Sequence, residues 1–492
     1  MEAKFKKIDI VLINPGDRKQ VFQNLDSDLA GIEPPFWIVV LAAFLRKNNF
    51  NVSIIDSNAE NISPQETAKK VLDLDPLMAC VIVFGSQPSA STQNMTAAGR
   101  ICAAIKEVCD CKIALGGLHP SALSKRTIEE ESVDFVIEGE GPITILELLN
   151  AIKKQNPDFS KVPGLWYYDQ GLKSNPRPKI IQDLNLLLPL GAWDLLPMGS
   201  YRAHNWHCFD DIKNRQPYAA IYTSLGCPYN CVFCCINAPF GKPGIRYRNP
   251  DLVIEEIQFL VKNYGIKNLK IVDELFVLNE NHYMAIVDRI IQLGLILNIW
   301  CYARVDTIKP ENLKKMKKAG INWLALGIES ANPDIRNGAK KCMKTKEIKD
   351  VVRRIQDEGI RVIGNYIFGL PGDSFTTMEE TLQMAIDLNC EFANFYSAMA
   401  YPGSKLYDIA IENGWDLPKE WHGFSQHSYN TLPLPTKYLS AKDVLEFRDN
   451  SFHKYFKNKA YLEMIEGKFG KDVKNHIIQM SSVKLKRKLF EN

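Results

Sequence analysis

Residues 224–235 read SLGCPYNCVFCC, placing four cysteines within nine positions at the end of the strand-like run AAIYTSLG (219–226). Cys227, Cys231 and Cys234 form C-x-x-x-C-x-x-C. Cysteine thiolates hold iron–sulfur clusters, and three in one loop can wrap a single cubane while leaving one iron open. Zinc usually takes a fourth protein ligand, and no second Cys or His pair lies at a finger-like spacing. A zinc or structural role stays as the alternative. Cys235 breaks the spacing and reads as a packed thiol, because free cysteine behaves as a small hydrophobe.

Downstream, five further strand-like runs alternate with helical patterns: NLKIVDEL (268–275), NIWCYAR (298–304), WLALGIES (323–330), RVIGNYIFG (361–369) and FANFYSAMA (392–400). Six βα units over residues 215–405 predict a partial (β/α)6 TIM-like barrel, with chemistry at the strand carboxyl ends. Residues 1–158 carry five more strand patterns, IDIVLIN (8–14), VSIIDS (52–57), MACVIVFG (78–85), KIALGG (112–117) and DFVIEG (134–139). Crossover helices between them predict an α/β, Rossmann-like, doubly wound parallel sheet. No G-x-G-x-x-G opens the first helix, so a dinucleotide is not favoured. Residues 159–214 read as a hairpin followed by a linker, and residues 406–492 as a small helical region in which Trp415 and Trp421 pack a cap. The stretch YRAHNWHCFDD (201–211) either lines a pocket or packs as a linker.

The 492 residues predict two or three domains. Lysine and arginine number 60 against 57 acidic residues, a net charge of +3 that argues against binding nucleic acid through its phosphates. The basic run VKLKRKLFEN reads as a solvated helix end. No run approaches the roughly 18–20 apolar residues of a membrane span, and the first residues lack a signal-peptide pattern. Twelve cysteines are too dilute for a disulfide scaffold. A cytoplasmic protein is expected.

With these motifs placed, the chain resembles the radical S-adenosylmethionine (radical SAM) superfamily over roughly residues 215–405. CPYNCVFC carries the family's loop, with Phe233 as the aromatic before the last cysteine. The resemblance implies that Cys227, Cys231 and Cys234 hold a [4Fe-4S] cluster whose open iron binds S-adenosylmethionine, cleaved to a 5′-deoxyadenosyl radical. It implies cofactor contacts at further strand ends: Asp273 and Glu274 in VDE, Arg304 in YARVD, Gly327 and Glu329 in GIES, Asn365 in GNYIFGLPG and Pro402 in AYPGS. Helix capping and surface ion pairing are the competing readings of the charged ones.

The first domain resembles the cobalamin-binding domain that precedes many radical SAM cores, through the run VVLAAFLRKNNFNVSIID, then GGLHPSAL and DFVIEGEGPITILELL. It implies cobalamin contacts at Ser86, Ser91, Thr92, Gly116, Gly117, His119, Pro120, Glu138, Gly139 and Glu140. Glycines there let backbone approach a bulky ligand and hydroxyls serve its amides, although turns use the same residues. The D-x-H-x-x-G pattern, whose histidine ligates cobalt in other cobalamin domains, is absent. His119 is the one histidine on a ligand-facing loop of this domain, and a hydrogen-bonding loop histidine is its simpler reading.

Together the resemblances imply a cobalamin-dependent radical SAM methyltransferase acting on an unactivated carbon of a small-molecule substrate. An electron donor such as flavodoxin or ferredoxin is its implied partner. The alternative is a cyclase or rearrangement enzyme with the same cofactors. A non-catalytic cobalamin sensor has no use for a reducible cluster, and Cys80, Cys102, Cys109 and Cys111 form no array of the methylthiotransferase kind.

Overall fold

The structure, a computed structural model, describes residues 7–25, 29–85, 88–188, 190–341 and 343–491. Five parallel strands open it: β1 (Ile10–Asn14), β2 (Val52–Asp56), β3 (Met78–Val83), β4 (Lys112–Gly117) and β5 (Phe135–Ile137). Their side chains alternate between two cores, as the period-2 geometry of a strand requires. Ile10, Leu12, Cys80 and Ile82 meet the helix Phe36–Lys47, while Val11, Ile13, Val81 and Val83 meet the helix Met95–Val108. The expected doubly wound sheet is therefore present.

The hairpin expected at the start of residues 159–214 is present as β6 (Leu165–Tyr168) and β7 (Leu172–Ser174). β6 pairs antiparallel with β5, so the sheet has seven strands in the order β2-β1-β3-β4-β5-β6-β7. The exposed edge of a three-residue strand is covered by the nearest chain, as edges usually are.

Gly117 shows how tightly β3 and β4 meet. Its φ is +133°, and a Cβ would lie 2.1 Å from the Val83 carbonyl oxygen. Gly117→Ala is expected to cost about 1–3 kcal/mol through backbone strain alone, read as a lowered denaturation midpoint. An unchanged midpoint would remove this reason for the glycine.

The second sheet starts at β8 (Tyr218–Ile221). A small ribbon of β9 (Ser224–Leu225) and β10 (Arg246–Tyr247) brackets the cysteine loop. Then follow β11 (Asn268–Ile271), β12 (Asn298–Ala303), β13 (Ile321–Glu329), β14 (Arg361–Phe368) and β15 (Phe392–Ser397). All six strands are parallel in the order β15-β14-β13-β12-β11-β8, each step crossed by a helix, which is the expected partial barrel. Asn249, Asn279 and Ser374 cap three of those helices, each accepting a backbone N–H at the first turn. One core joins the two sheets, with Phe36 packed against Trp193 and Tyr222.

Helices Ala441–Phe456, Lys459–Phe469 and Lys471–Met480 back β15, where the Tyr455 hydroxyl donates to the Cys390 carbonyl and Arg448 to that of Phe395. Two expectations fail here. Trp415 does pack locally, but Trp421 reaches the first sheet, edge-on to His119 at 4.4 Å and under the Arg126 guanidinium at 4.4 Å. The basic run is not uniformly solvated: Lys484, Lys486 and Lys488 are exposed, but Arg487 is buried in an ion pair with Asp449. Among the described residues no helix is long and apolar enough to cross a membrane.

Candidate functional site

The cysteine loop is closed on itself. Gly226 has φ +89°, and a Cβ would meet the Gly244 carbonyl oxygen at 2.4 Å, while the Gly244 N–H donates to the Cys227 carbonyl at 3.0 Å. Cys227, Cys231 and Cys234 are half-buried and unpaired, and Cys235 is buried in the core. Burial pushes the Cys227 thiol up to about 11 and raises Cys231 and Cys234 too. Among the described residues no three Cys, His, Asp or Glu side chains converge on a point that would hold one metal ion. A cubane instead takes one thiolate on each of three separate irons, and three half-buried free thiols offered by one loop suit that demand. Phe233 packs beside the loop against Ile367, Leu370 and Leu406.

The strand ends around the loop divide the expected contacts. Asp273 is fully buried and accepts from the Thr223 N–H and from the Thr223 and Ser224 hydroxyls. Its oxygens hold the chain entering the cysteine loop, so they are engaged within the protein. Its neighbour Glu274 has no hydrogen bond or ion pair among the described residues, and burial pushes it up to about 7. Arg304 does pair with an acid, Asp306 at 2.8 and 2.9 Å, and its guanidinium also lies 4.0 Å from the Tyr229 ring of the cysteine loop. Glu329 adopts φ +66° at a bulge between β13 and β14, and its carboxylate is paired with buried Lys341. A Cβ on Gly327 would strike the Lys341 ammonium. Asn365 donates to the Leu326 carbonyl and accepts from Asn394. Pro402 is buried in a loop whose next residue, Gly403, abuts Ala238 and Cys235. Lys341 was missed in the sequence; nothing in GAKKCMK marks it.

The residues expected to meet cobalamin in the first domain are placed as follows. Ser86 lies outside the described residues. Ser91 and Thr92 are spent on local bonds, Ser91 between the Val83 carbonyl and the His119 N–H, and Thr92 on the His119 ring at 3.2 Å. Burial lowers His119 to about 3, so its ring is neutral. Gly116 and Gly117 serve strand packing, and Pro120 is buried in the short helix Leu118–Ala122. Glu138 and Glu140 are ion-paired to Arg177 and Arg246, and the Gly139 N–H donates to Ser121. None of these residues lines the cavity shared by the two sheets.

That cavity, of about 370 Å³, runs from the carboxyl ends of β1 and β3 into the barrel. Asn14, Phe84 and Gly85 line one side, Tyr222, Trp300, Tyr302 and Asn365 the other. His204, Asn205 and Trp206 line it too, while His207 to Phe209 pack inside, so the stretch 201–211 does both jobs. Arg18 faces the cavity with Nε and Nη1 buried and unpartnered among the described residues. Two buried N–H donors without a partner ask for oxygen acceptors from a ligand. Cobalamin, with amide and phosphate oxygens, fits that demand, and the unpartnered Glu274 fits the ammonium of S-adenosylmethionine.

The sequence pattern of the Radical SAM superfamily matches residues 221–385, and that of the B12 binding domain matches residues 25–149. An uncharacterized methyltransferase of Pyrococcus horikoshii is 32% identical over 396 residues, covering 80% of this chain and 82% of the relative. The anaerobic magnesium-protoporphyrin IX monomethyl ester cyclase of Rubrivivax gelatinosus is 26% identical, covering 89% and 76%. Among solved structures, the radical S-adenosylmethionine methyltransferase TsrM of Kitasatospora setae, with tryptophan substrate and a SAM analog bound, aligns with a TM-score of 0.68 at 16% identity, over 99% of this chain and 97% of that one. That likeness spans both sheets and the helical region. The cysteine loop, the barrel it opens and the sheet ahead of it thus have one common explanation: the chain belongs to the radical SAM superfamily, among the enzymes whose core follows a B12-binding domain.

Proposed function

We propose that this enzyme is a cobalamin-dependent methyltransferase that alkylates an unactivated carbon of a small-molecule substrate. The observation that carries the reading is one cavity walled jointly by the strand ends of the B12-binding sheet and by the barrel interior. When bound, the cluster with S-adenosylmethionine supplies a 5′-deoxyadenosyl radical and cobalamin supplies the methyl group. The chain's own work is to hold, orient and seclude. Cys227, Cys231 and Cys234 hold the cluster, Glu274 takes the methionine ammonium, and Arg304 braces the loop through Tyr229. The Glu329–Lys341 pair stands at the ribose end, where strain at Glu329 is the kind that clusters at functional sites. We assign residues 1–158 to cobalamin, 215–405 to the radical core and 406–492 to a cap over both.

Methylation adds one methyl group to the product mass, taken from labelled S-adenosylmethionine; label recovered only in unreacted methionine products would sink this reading. The Rubrivivax relative, named a cyclase, gives the second reading, in which the product gains no methyl group. Glu274→Gln is expected to weaken S-adenosylmethionine binding by about 1.5–3 kcal/mol, the worth of a hydrogen bond to a charged group. Anaerobic calorimetry on the reconstituted chain reads it, and an unaltered affinity would remove Glu274 from the site. Cysteines left as free thiols suit a reducing compartment, hence the cytoplasm, with a flavodoxin- or ferredoxin-type donor supplying the electron.

A further inference from the structure

We propose that two arginines form a clamp that fixes the cysteine loop against the first sheet and thereby sets how the cluster and the corrin face one another. This rests on the two-cofactor reading above. Arg246 lies in β10, opposite Leu225, which stands two residues before Cys227. Its guanidinium forks onto the Glu140 carboxylate in a pair only 11% and 8% exposed, donates to the Ile181 carbonyl, and lies 5.3 Å from the Phe240 ring. Arg177, just past β7, donates through Nε to Glu138, through Nη1 to the Ala238 carbonyl at 2.9 Å, and through Nη2 to the Ser121 carbonyl at 3.0 Å. Ala238 belongs to the turn that follows Cys235, its N–H donating to the Cys235 carbonyl. One arginine therefore grips the ribbon that opens the cysteine loop, and the other grips the turn that closes it.

Both grips land on one loop of the B12-binding domain. Glu138 and Glu140 sit at the carboxyl end of β5, and Ser121 ties that loop to the end of β4 by donating to the Gly117 and Gly139 carbonyls. Ligands of a doubly wound sheet sit at those strand ends. Gly403 shuts the remaining side, since a Cβ there would lie 2.8 Å from the Cβ of Ala238 and 3.1 Å from that of Ala122. Hydrogen bonds thus run without a break from the ligand end of the first sheet to both flanks of the cysteine loop. Buried ion pairs add little net stability, whereas forked arginine–carboxylate contacts fix direction as well as distance. Fixed geometry matters here, because a radical and a methyl donor must reach one carbon, and misplacement of about 1 Å can cost about 100-fold in rate.

A pulsed electron-spin distance measurement on the full chain, loaded with reduced cluster and cob(II)alamin, reads the quantity directly. The native enzyme is expected to give one narrow distribution. Arg177→Met with Arg246→Met should broaden it at unchanged iron and cobalamin content, and the reversal Glu140→Arg with Arg246→Glu should narrow it again. A narrow, unshifted distribution in the loaded double variant overturns the clamp. Should Arg246→Met fail to load, the more exposed arm, Arg177→Met with Glu138→Gln, reads the same quantity, and an unshifted distribution there overturns it equally. A native chain that does not retain cobalamin overturns the two-cofactor reading instead, before any variant is made.

Discussion

Anaerobic reconstitution is expected to load about four irons per chain, and replacing Cys227, Cys231 and Cys234 together with alanine to remove all of them. The three thiols come from one loop whose backbone is closed at its base by Gly226 and Gly244 before iron arrives. Burial keeps the metal-free thiols protonated, which means that iron binding must displace their protons. Alanine supplies no ligand while leaving the loop's own hydrogen bonds in place. The fold should therefore survive, visible as an unchanged far-ultraviolet spectrum, while reductive cleavage of S-adenosylmethionine disappears. Cys235→Ala, a change to a packed thiol, should keep its iron. Full iron in the triple variant would move the cluster elsewhere and undo the reading of the whole barrel mouth.

The second large effect is expected at Lys270. This lysine is wholly buried on β11, 2.8 Å from Glu33 of the first domain and 4.6 Å from the Trp300 ring. Glu33 also accepts from the Tyr218 hydroxyl and lies 3.4 Å from His204. Lys270→Met would strand the Glu33 carboxylate, at a cost of about 3–5 kcal/mol. Adding Glu33→Gln should recover much of that loss, since the uncompensated charge goes with it. Burial alone would raise Glu33, but the Lys270 charge and His204 outweigh it and hold the carboxyl well below its usual range. A depressed carboxyl stabilises the fold above its unfolded value, and the contribution disappears as pH falls through the folded one. The native chain should therefore lose this stability progressively once pH falls below the ordinary carboxylate range, the last of it in strong acid, and Lys270→Met should lack that acid-sensitive part. Equal midpoints for the native and Lys270→Met chains at neutral pH would show the pair to be dispensable.

What could be read from the sequence was whatever is local in the chain. The strands announce themselves through short apolar runs, and the cluster ligands through spacing inside one loop. Glu274 and Asp273 are adjacent and chemically alike, yet one is unpartnered and the other is consumed by Thr223 and Ser224. Only the packing of β8 beside β11 separates them. Glu138 and Glu140 looked like ligand contacts because they end a strand in a glycine-rich loop. Their true partners lie 39 and 106 residues away, distances across which no pattern in the chain carries. Lys341 and Arg18 were invisible for the same reason, and the hairpin β6–β7 joined the sheet because β5 offered an uncovered edge. Trp421 reads as a local packer until the segment around it crosses to His119.

That crossing has a consequence in time. The Ser425 hydroxyl donates to the Val21 carbonyl and Gln23 donates to the His427 carbonyl, both across 404 residues of sequence. Val21 and His427 both line the cavity. At 5–20 residues per second, a ribosome needs roughly 20–80 s between the two sides of that wall. For roughly the second half of that interval the cysteine loop has been made while the chamber beside it stands open. Assembly factors carrying iron, sulfide or a corrin the size of cobalamin have their widest access then.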